Sequence, residues 1–185
     1  MARGMQTPHE IINQLSPGDG LAILQTLARE DEQLAARIAE IATARLRDVD
    51  MEGVAFALYE ELECLEVEEV WDRSGSTRHG YVDSAEAADQ MMDEVVEPYL
   101  DKLKKLQALG MNAQAKRMCQ GLLLGLYKFE HESTSEFKNW ASDSPGAFAW
   151  VVVDACKSGT SGRADVVEVK TFIEQKLGGW GSHLV

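Results

Sequence analysis

The sequence predicts an all-α fold in which antiparallel helix pairs form either an irregular bundle or an α-α superhelix of the HEAT, ARM or TPR kind. Apolar residues recur at intervals of three and four along most of the chain. Short segments rich in Gly, Pro, Asp and Ser separate these runs. Only one segment has a local preference for strand. A chain of 185 residues can bury roughly 70% of its unfolded surface, so a substantial core is expected.

The first three predicted helices are short or have a single apolar face. Thr7 caps the first helix, with Pro8 at its first position. The segment 16–20 has the composition of a turn, and a second short helix is expected from about Leu21. Asp31 caps a third helix. The stripe of this helix that we expect to be buried comprises Leu34, Ile38, Ile41 and Leu46.

A longer, more apolar helix is predicted next. Asp50 can cap it, and its pattern continues to Trp71. Cys64 and Trp71 widen its apolar arc, which indicates packing on more than one side. The segment 72–80 contains two glycines and small polar residues, so we expect an irregular loop there.

Two helices should follow this loop. Asp83 or Ser84 starts a helix of about six turns, and Pro98 inside it predicts a kink rather than an end. Gly110 is the expected stop, after which Asn112 caps the next helix.

The remaining core segments contain small or β-branched residues. Gly121 and Gly125 lie one turn apart in an apolar run that is too short for a membrane span, so they predict close backbone packing in a bundle. Three consecutive valines favour a strand locally within 147–156. Because the chain offers no second strand to pair with it, we predict a buried helix, with Pro145 in its first turn.

A Gly/Ser-rich segment divides the predicted domains. Residues 1–156 form the expected main helical domain, and residues 157–163 form a linker. Residues 164–185 contain a last amphipathic helix. This helix is expected to pack on the main domain or on another subunit, which would make the protein a homo-oligomer.

The net negative charge of the protein comes from one region of the sequence. The net charge is -13. Residues 50–97 contain 15 acidic and two basic residues, Arg73 and Arg78, whereas the rest of the chain is neutral. Such a surface repels a phosphate backbone, so nucleic acid is not an expected partner. We expect no membrane partner either, because no apolar run approaches the length of a membrane span.

The cysteine pattern predicts free thiols. Cys64, Cys119 and Cys156 are odd in number, widely spaced and set within apolar runs. This is a poor disulfide framework and is typical of core thiols in a reducing compartment. The start of the chain also lacks the apolar stretch of a signal peptide. We therefore expect a cytoplasmic protein.

Four stretches are similar to a known kind of protein. They are Val70-Trp71-Asp72-Arg73-Ser74-Gly75, Gly80-Tyr81-Val82-Asp83, Gly121-Leu122-Leu123-Leu124-Gly125-Leu126-Tyr127 and Phe148-Ala149. Through them the region from Leu21 to Ala155 resembles an uncharacterised prokaryotic family of helical-repeat proteins loosely associated with SWIM-type zinc-finger proteins. The resemblance implies an α-α repeat fold and no catalytic residues. Zinc binding does not transfer, because the chain has no Cys-x-Cys with a Cys-x-His partner.

No residue pattern predicts a catalytic, cofactor or metal site. His79 and His131 have carboxylates nearby in sequence, but neither lies at a helical spacing that would direct it with other ligands at one metal ion. The two glycine-bearing loops do not follow strands, as a phosphate-binding loop would. Ser161 lies in the linker and outside any Gly-x-Ser-x-Gly motif. The sequence therefore favours a non-enzymatic protein without deciding against an enzyme, and it predicts no cofactor.

A dense run of carboxylates is the one candidate site. A solvated helix face is the simplest interpretation of such a run. Our hypothesis is instead a docking face for a basic protein or peptide, in a non-enzymatic interaction or scaffold module. The alternative is an acidic metal-dependent hydrolase or a small-molecule-binding helical bundle. The predicted partner-binding residues are Glu60, Glu61, Glu63, Glu66, Glu68, Glu69 and Asp72.

Overall fold

The computed structural model describes residues 7–77, 80–159, 163–178 and 180. Helices dominate these residues, so the predicted all-α class is confirmed. Two compact units divide the chain, unit 1 (Met1–Arg47) and unit 2 (Asp48–Val185). The helices are α1 (Pro8–Asn13), α2 (Pro17–Glu30), α3 (Glu32–Arg47), α4 (Met51–Glu63), α5 (Val67–Arg73), α6 (Ser84–Ala108), α7 (Asn112–Glu132), α8 (Ser144–Gly159) and α9 (Arg163–Lys176).

Unit 1 begins with two helices, and each of them starts with a capping box. Thr7 caps α1 in a capping box, as its sequence predicts. The prediction of a turn over 16–20 is wrong, because α2 already begins at Pro17. The Ser16 hydroxyl accepts a hydrogen bond from the backbone N–H of Asp19, and the Asp19 carboxylate accepts one from the backbone N–H of Ser16. These turn-like residues are therefore a helix start.

The third helix has its predicted cap but not its predicted burial. Asp31 Oδ1 accepts hydrogen bonds from the backbone N–H groups of Gln33 and Leu34, at 2.8 and 3.1 Å. The expected burial of the apolar stripe is wrong, since Ile41 is 47% exposed and Leu34 is only half-buried. Over their fully described lengths, neither α2 nor α3 contains a buried residue. Periodicity identifies an apolar face but not what covers it.

Unit 2 is an irregular bundle around α7, which contacts α4, α6, α8 and α9. The predicted close packing at Gly121 and Gly125 is confirmed. A Cβ atom at Gly121 would lie 2.7 Å from the Met51 carbonyl oxygen, and one at Gly125 would lie 2.9 Å from that of Ala55. Because the contacts advance along both helices together, α4 and α7 run parallel and end at the same side of the bundle.

The predicted helix from Asp50 to Trp71 is two helices. Asp50 caps α4, accepting a hydrogen bond from the backbone N–H of Gly53 at 2.9 Å, but α4 ends at Glu63 and α5 begins at Val67. The junction contains neither Gly nor Pro, so no local signal marks the break. The break lets α5 pack on α6 with its two valines buried.

A small hairpin replaces the loop predicted over 72–80. Strands β1 (Gly75–Thr77) and β2 (Gly80–Val82) pair antiparallel. The residues between them, 78–79, lie outside the described residues. Gly75 and Gly80 have φ values of 98° and 134°, a conformation that glycine adopts without strain. Strands of three residues are too short to show a clear alternation of apolar and polar residues, so the sequence pattern does not predict them.

The next helix boundaries follow their predicted signals closely. Asp83 caps α6, and the helix continues through Pro98, as expected. Gly110, with φ of 67°, follows its end. The predicted cap at Asn112 is wrong by one position, because Met111 is the cap residue and Asn112 begins α7.

Helix α8 confirms the prediction of a helix over 147–156 and continues to Gly159. The predicted linker 157–163 is therefore partly helical, and residues 160–162 lie outside the described residues. Helix α9 packs on α7 of the same chain, with Ile173 and Leu177 buried and an ion pair between Lys116 and Glu168. We expected this helix to pack either on the main domain or on another subunit, and in the structure it packs on the main domain.

The cysteines differ from their prediction. Cys119 and Cys156 are buried, as expected, but they form a disulfide between α7 and α8, with 6.4 Å between their Cα atoms. Cys64 is a free thiol and is exposed. Sequence spacing could not reveal a pair that the packing of two helices creates. Because Cys119 and Cys156 are bonded, the cysteine spacing no longer supports a reducing compartment, and the cytoplasmic location stays a prediction without that support.

Within the described ranges, no helix combines the length and the apolar content that crossing a membrane requires.

Candidate docking surface

The seven predicted partner-binding carboxylates lie on two helices and not on one. Six of them are exposed, and Glu63 is half-buried. Those at the end of α4 are Glu60, Glu61 and Glu63, and those at or within α5 are Glu66, Glu68, Glu69 and Asp72.

Two of these carboxylates, Glu61 and Glu69, have hydrogen-bond partners in the fold. Arg73 donates hydrogen bonds to Glu69 on α5 and to Glu94 on α6, each with a shortest distance of 2.7 Å. The hydrogen bond from Arg73 lowers the pKa of Glu94. Glu61 Oε1 accepts a hydrogen bond from the Tyr99 hydroxyl at 2.8 Å. Glu61 and Glu69 therefore have structural partners, and the Arg73 cation partly compensates the charge of Glu69.

Negative charge is concentrated where α4 and α7 end, although the Lys138 ammonium also lies there and donates a hydrogen bond to the Ser133 carbonyl oxygen at 3.3 Å. Burial first, and then the carboxylates of Glu63, Glu132 and Glu60, raise the pKa of Tyr59. Because α4 and α7 run parallel, the negative ends of both helix dipoles add to these charges. Within its fully described length, α4 has no basic residue in its last turn. The Oε1 atom of Glu63 is buried without a hydrogen-bond partner among the described residues.

Next to this end, a groove separates the start of α5 from the 3-10 helix Glu136–Asn139. We call it the α5 groove; its volume is about 380 Å³. Val67 and Phe137 are buried beside it, whereas Glu66, Glu68 and Glu136 are exposed. The groove is lined by Leu65, Glu66, Val67, Glu68, Ser135, Glu136 and Phe137.

A pair of exposed tryptophans follows the two segments that form the groove. Trp71 lies one turn after Glu68 on α5, and Trp140 follows the 3-10 helix that contains Glu136. Their ring centroids are 6.4 Å apart in an edge-to-face arrangement, and they are 55% and 38% exposed. Sequence patterns did not indicate this pair, because Trp71 fits the apolar arc of a continuous helix. Only the break before α5 turns it outward.

The two histidines considered for a metal site give it no support. His79 lies outside the described residues. His131 Nδ1 lies 3.0 Å from the carbonyl oxygen of Tyr127 and its ring stacks on that of Tyr127, with Trp180 at the edge of both. In the part of the chain that the structure describes, no group of three or more His, Cys, Asp or Glu side chains is placed to hold a metal ion.

Comparison of the chain with protein-family models, with curated proteins and with solved structures found no match. The resemblance to helical-repeat proteins associated with SWIM-type zinc fingers therefore stays a prediction, as does the structural repeat that it implies.

Proposed function

We propose that this protein is a non-enzymatic interaction module whose α5 groove binds a basic segment of a partner protein. The observation that supports this most is the combination of three exposed carboxylates, Glu66, Glu68 and Glu136, with the exposed pair Trp71 and Trp140. Each of these features has a separate role in binding a cationic and partly apolar chain.

The carboxylates supply attraction over distance and selectivity for positive charge. Glu66, Glu68 and Glu136 lie close to the combined negative ends of α4 and α7. A surface of one sign steers an oppositely charged partner and raises its association rate, an effect that salt screens. The charge also disfavours acidic partners, which like charges repel.

The tryptophans supply affinity at short range. Trp is enriched among the interface residues that contribute most to binding. The exposed faces of Trp71 and Trp140 can receive an Arg guanidinium by a cation–π interaction, which contributes about 0.5–2 kcal/mol. The half-buried side chain of Leu65, which also lines the groove, can contact the aliphatic part of the same segment.

A binding experiment with a matched charge control tests this proposal. The probe is a short labelled peptide in which Arg and Leu alternate. Neutralising the groove with Glu66→Gln, Glu68→Gln and Glu136→Gln should weaken binding about tenfold or more, since about 1.4 kcal/mol corresponds to tenfold. Trp71→Ala should weaken binding without changing the net charge.

The control removes the same charge elsewhere in unit 2, through Glu86→Gln, Glu97→Gln and Glu174→Gln, all at exposed positions outside the groove. We expect this triple variant to bind the peptide within about threefold of the parent, because screening reduces distant charge effects. Equal losses in the two triple variants would contradict a specific groove and would leave only diffuse attraction to an acidic protein.

A further inference from the structure

The segment formed by α2 and α3 has an apolar surface that its own helices do not cover. The two helices contact each other, yet over their fully described lengths neither contains a buried residue. The exposed large apolar residues of α2 and α3 are Leu21, Ile23, Leu24, Leu27 and Ile41. Contiguous exposed apolar patches mark protein interfaces more often than isolated exposed apolar residues do.

Helices of this length depend on packing. Helix α2 has 14 residues and α3 has 16, close to the ~12–15 residues below which an isolated helix is marginal in water. Helices in proteins obtain most of their stability from the burial of one face. We therefore expect α2 and α3 to acquire a partner surface.

The charges along α3 indicate which partner fits. Its start adjoins Glu30, Asp31 and Glu32, whereas its last turn contains Arg45 and Arg47. All five side chains are exposed. When two copies of α3 lie antiparallel, the acidic start of each copy meets the basic end of the other. The segment is therefore electrostatically complementary to itself.

The balance of charge between the units also favours self-association at this surface. Unit 1 has five basic and six acidic residues, whereas unit 2 has 13 basic and 25 acidic residues. Two copies of unit 1 do not repel each other strongly. A highly basic partner gains more from the acidic carboxylates of unit 2.

We propose that α2 and α3 pair with α2 and α3 of a second copy of the chain about a twofold axis, with the two α3 helices antiparallel, to form a bundle of four helices. Such an interface uses the same surface on both subunits. It buries the exposed aliphatic residues as bundle helices do. This inference is independent of the proposed docking of a basic partner at the α5 groove.

The mass of the full-length protein in solution, measured by light scattering, tests the pairing. We expect twice the chain mass of 20.4 kDa. Leu24→Glu should give the single-chain mass, because a charge would enter the apolar interface. Leu109→Glu makes the same change at an exposed leucine of unit 2 and should leave the dimer intact. A monomeric parent protein, a dimer unaffected by Leu24→Glu, or a mass above two chains would overturn the proposal.

A charge exchange tests the antiparallel arrangement. One chain has Arg45→Glu and Arg47→Glu, and the other has Glu30→Lys and Glu32→Lys. Each alone should be monomeric, because like charges would meet across the twofold axis. Mixing the two should restore a dimer that contains one copy of each, as detected by native mass spectrometry. Failure of the mixture to pair would overturn the antiparallel arrangement.

Discussion

Tyr99 shows how one side chain of α6 contributes to both packing and charge. Its hydroxyl donates a hydrogen bond to Glu61 of α4 at 2.8 Å. Burial, and then the hydrogen bond and charge of Glu61, raise the pKa of Tyr99. The folded state therefore favours the protonated phenol more than the unfolded chain does. This contribution to stability is complete below the unfolded pKa of about 10 and is lost as the pH rises above it.

We expect Tyr99→Phe to lower the free energy of unfolding by about 1 kcal/mol at neutral pH, because a hydrogen bond is lost whose acceptor, Glu61, is exposed to solvent. Above pH ~10 the difference from the parent should narrow, since the variant has no phenol to ionise there. Urea unfolding at both pH values measures this. Tyr81→Phe, at an exposed tyrosine, should change little at neutral pH. A difference between parent and Tyr99→Phe that is constant with pH would contradict the role assigned to the phenol.

Gly121 is a residue whose lack of a side chain fixes the distance between two helices. A Cβ atom there would lie 2.7 Å from the Met51 carbonyl oxygen and 2.8 Å from Val54. Backbone cannot move aside as a flexible side chain can. The strain of overpacking costs about 1–3 kcal/mol, which exceeds the roughly 1 kcal/mol that Ala gains over Gly in a helix.

Gly121→Ala should therefore destabilise the protein, measured as a lower urea midpoint. Gly146→Ala is the matched control, because a Cβ atom added at Gly146 in α8 would have no neighbour within 4 Å among the described residues. There the better helix propensity of Ala should raise the midpoint slightly or leave it unchanged. A Gly121→Ala variant as stable as the parent would show that α4 and α7 are not in close backbone contact.

At the scale of elements, the sequence predicts where helices begin and end better than it predicts which helices pack together. The capping residues Asp50 and Asp83 and the stop at Gly110 are local signals, and the structure confirms them. The break between α4 and α5 is not local, because the burial of Val67 and Val70 against other elements decides it. The outward position of Trp71, and with it part of the candidate site, depends on that break.

The disulfide between α7 and α8 is the element-scale feature that is easiest to test. Its closed loop spans a sequence separation of 37, for which the loop-entropy model gives a stabilisation of about 3–4 kcal/mol. We expect a reductant added during unfolding to lower the urea midpoint. Cys64→Ser should leave that effect unchanged, since Cys64 is not part of the bond. Three reactive thiols in the denatured, unreduced protein would contradict the bond between Cys119 and Cys156.

At the scale of the whole molecule, the acidic region is visible in the sequence, but the docking surface proposed beside it is not. Counting charges identifies residues 50–97. It cannot show that Glu69 and Glu61 bond to Arg73 and Tyr99. Nor can it show that Glu136, far outside the region, joins Glu68 at the α5 groove. These facts depend on tertiary packing, which a single sequence does not specify by pattern alone.

We propose that a basic segment binds at the α5 groove and not across the whole acidic region. An NMR titration of the labelled protein with the Arg–Leu peptide tests it most directly. We expect the largest shifts at the indole N–H signals of Trp71 and Trp140 and at the amides of residues 65–68 and 135–137. Shifts spread evenly over residues 50–97, with both indole signals unmoved, would contradict it.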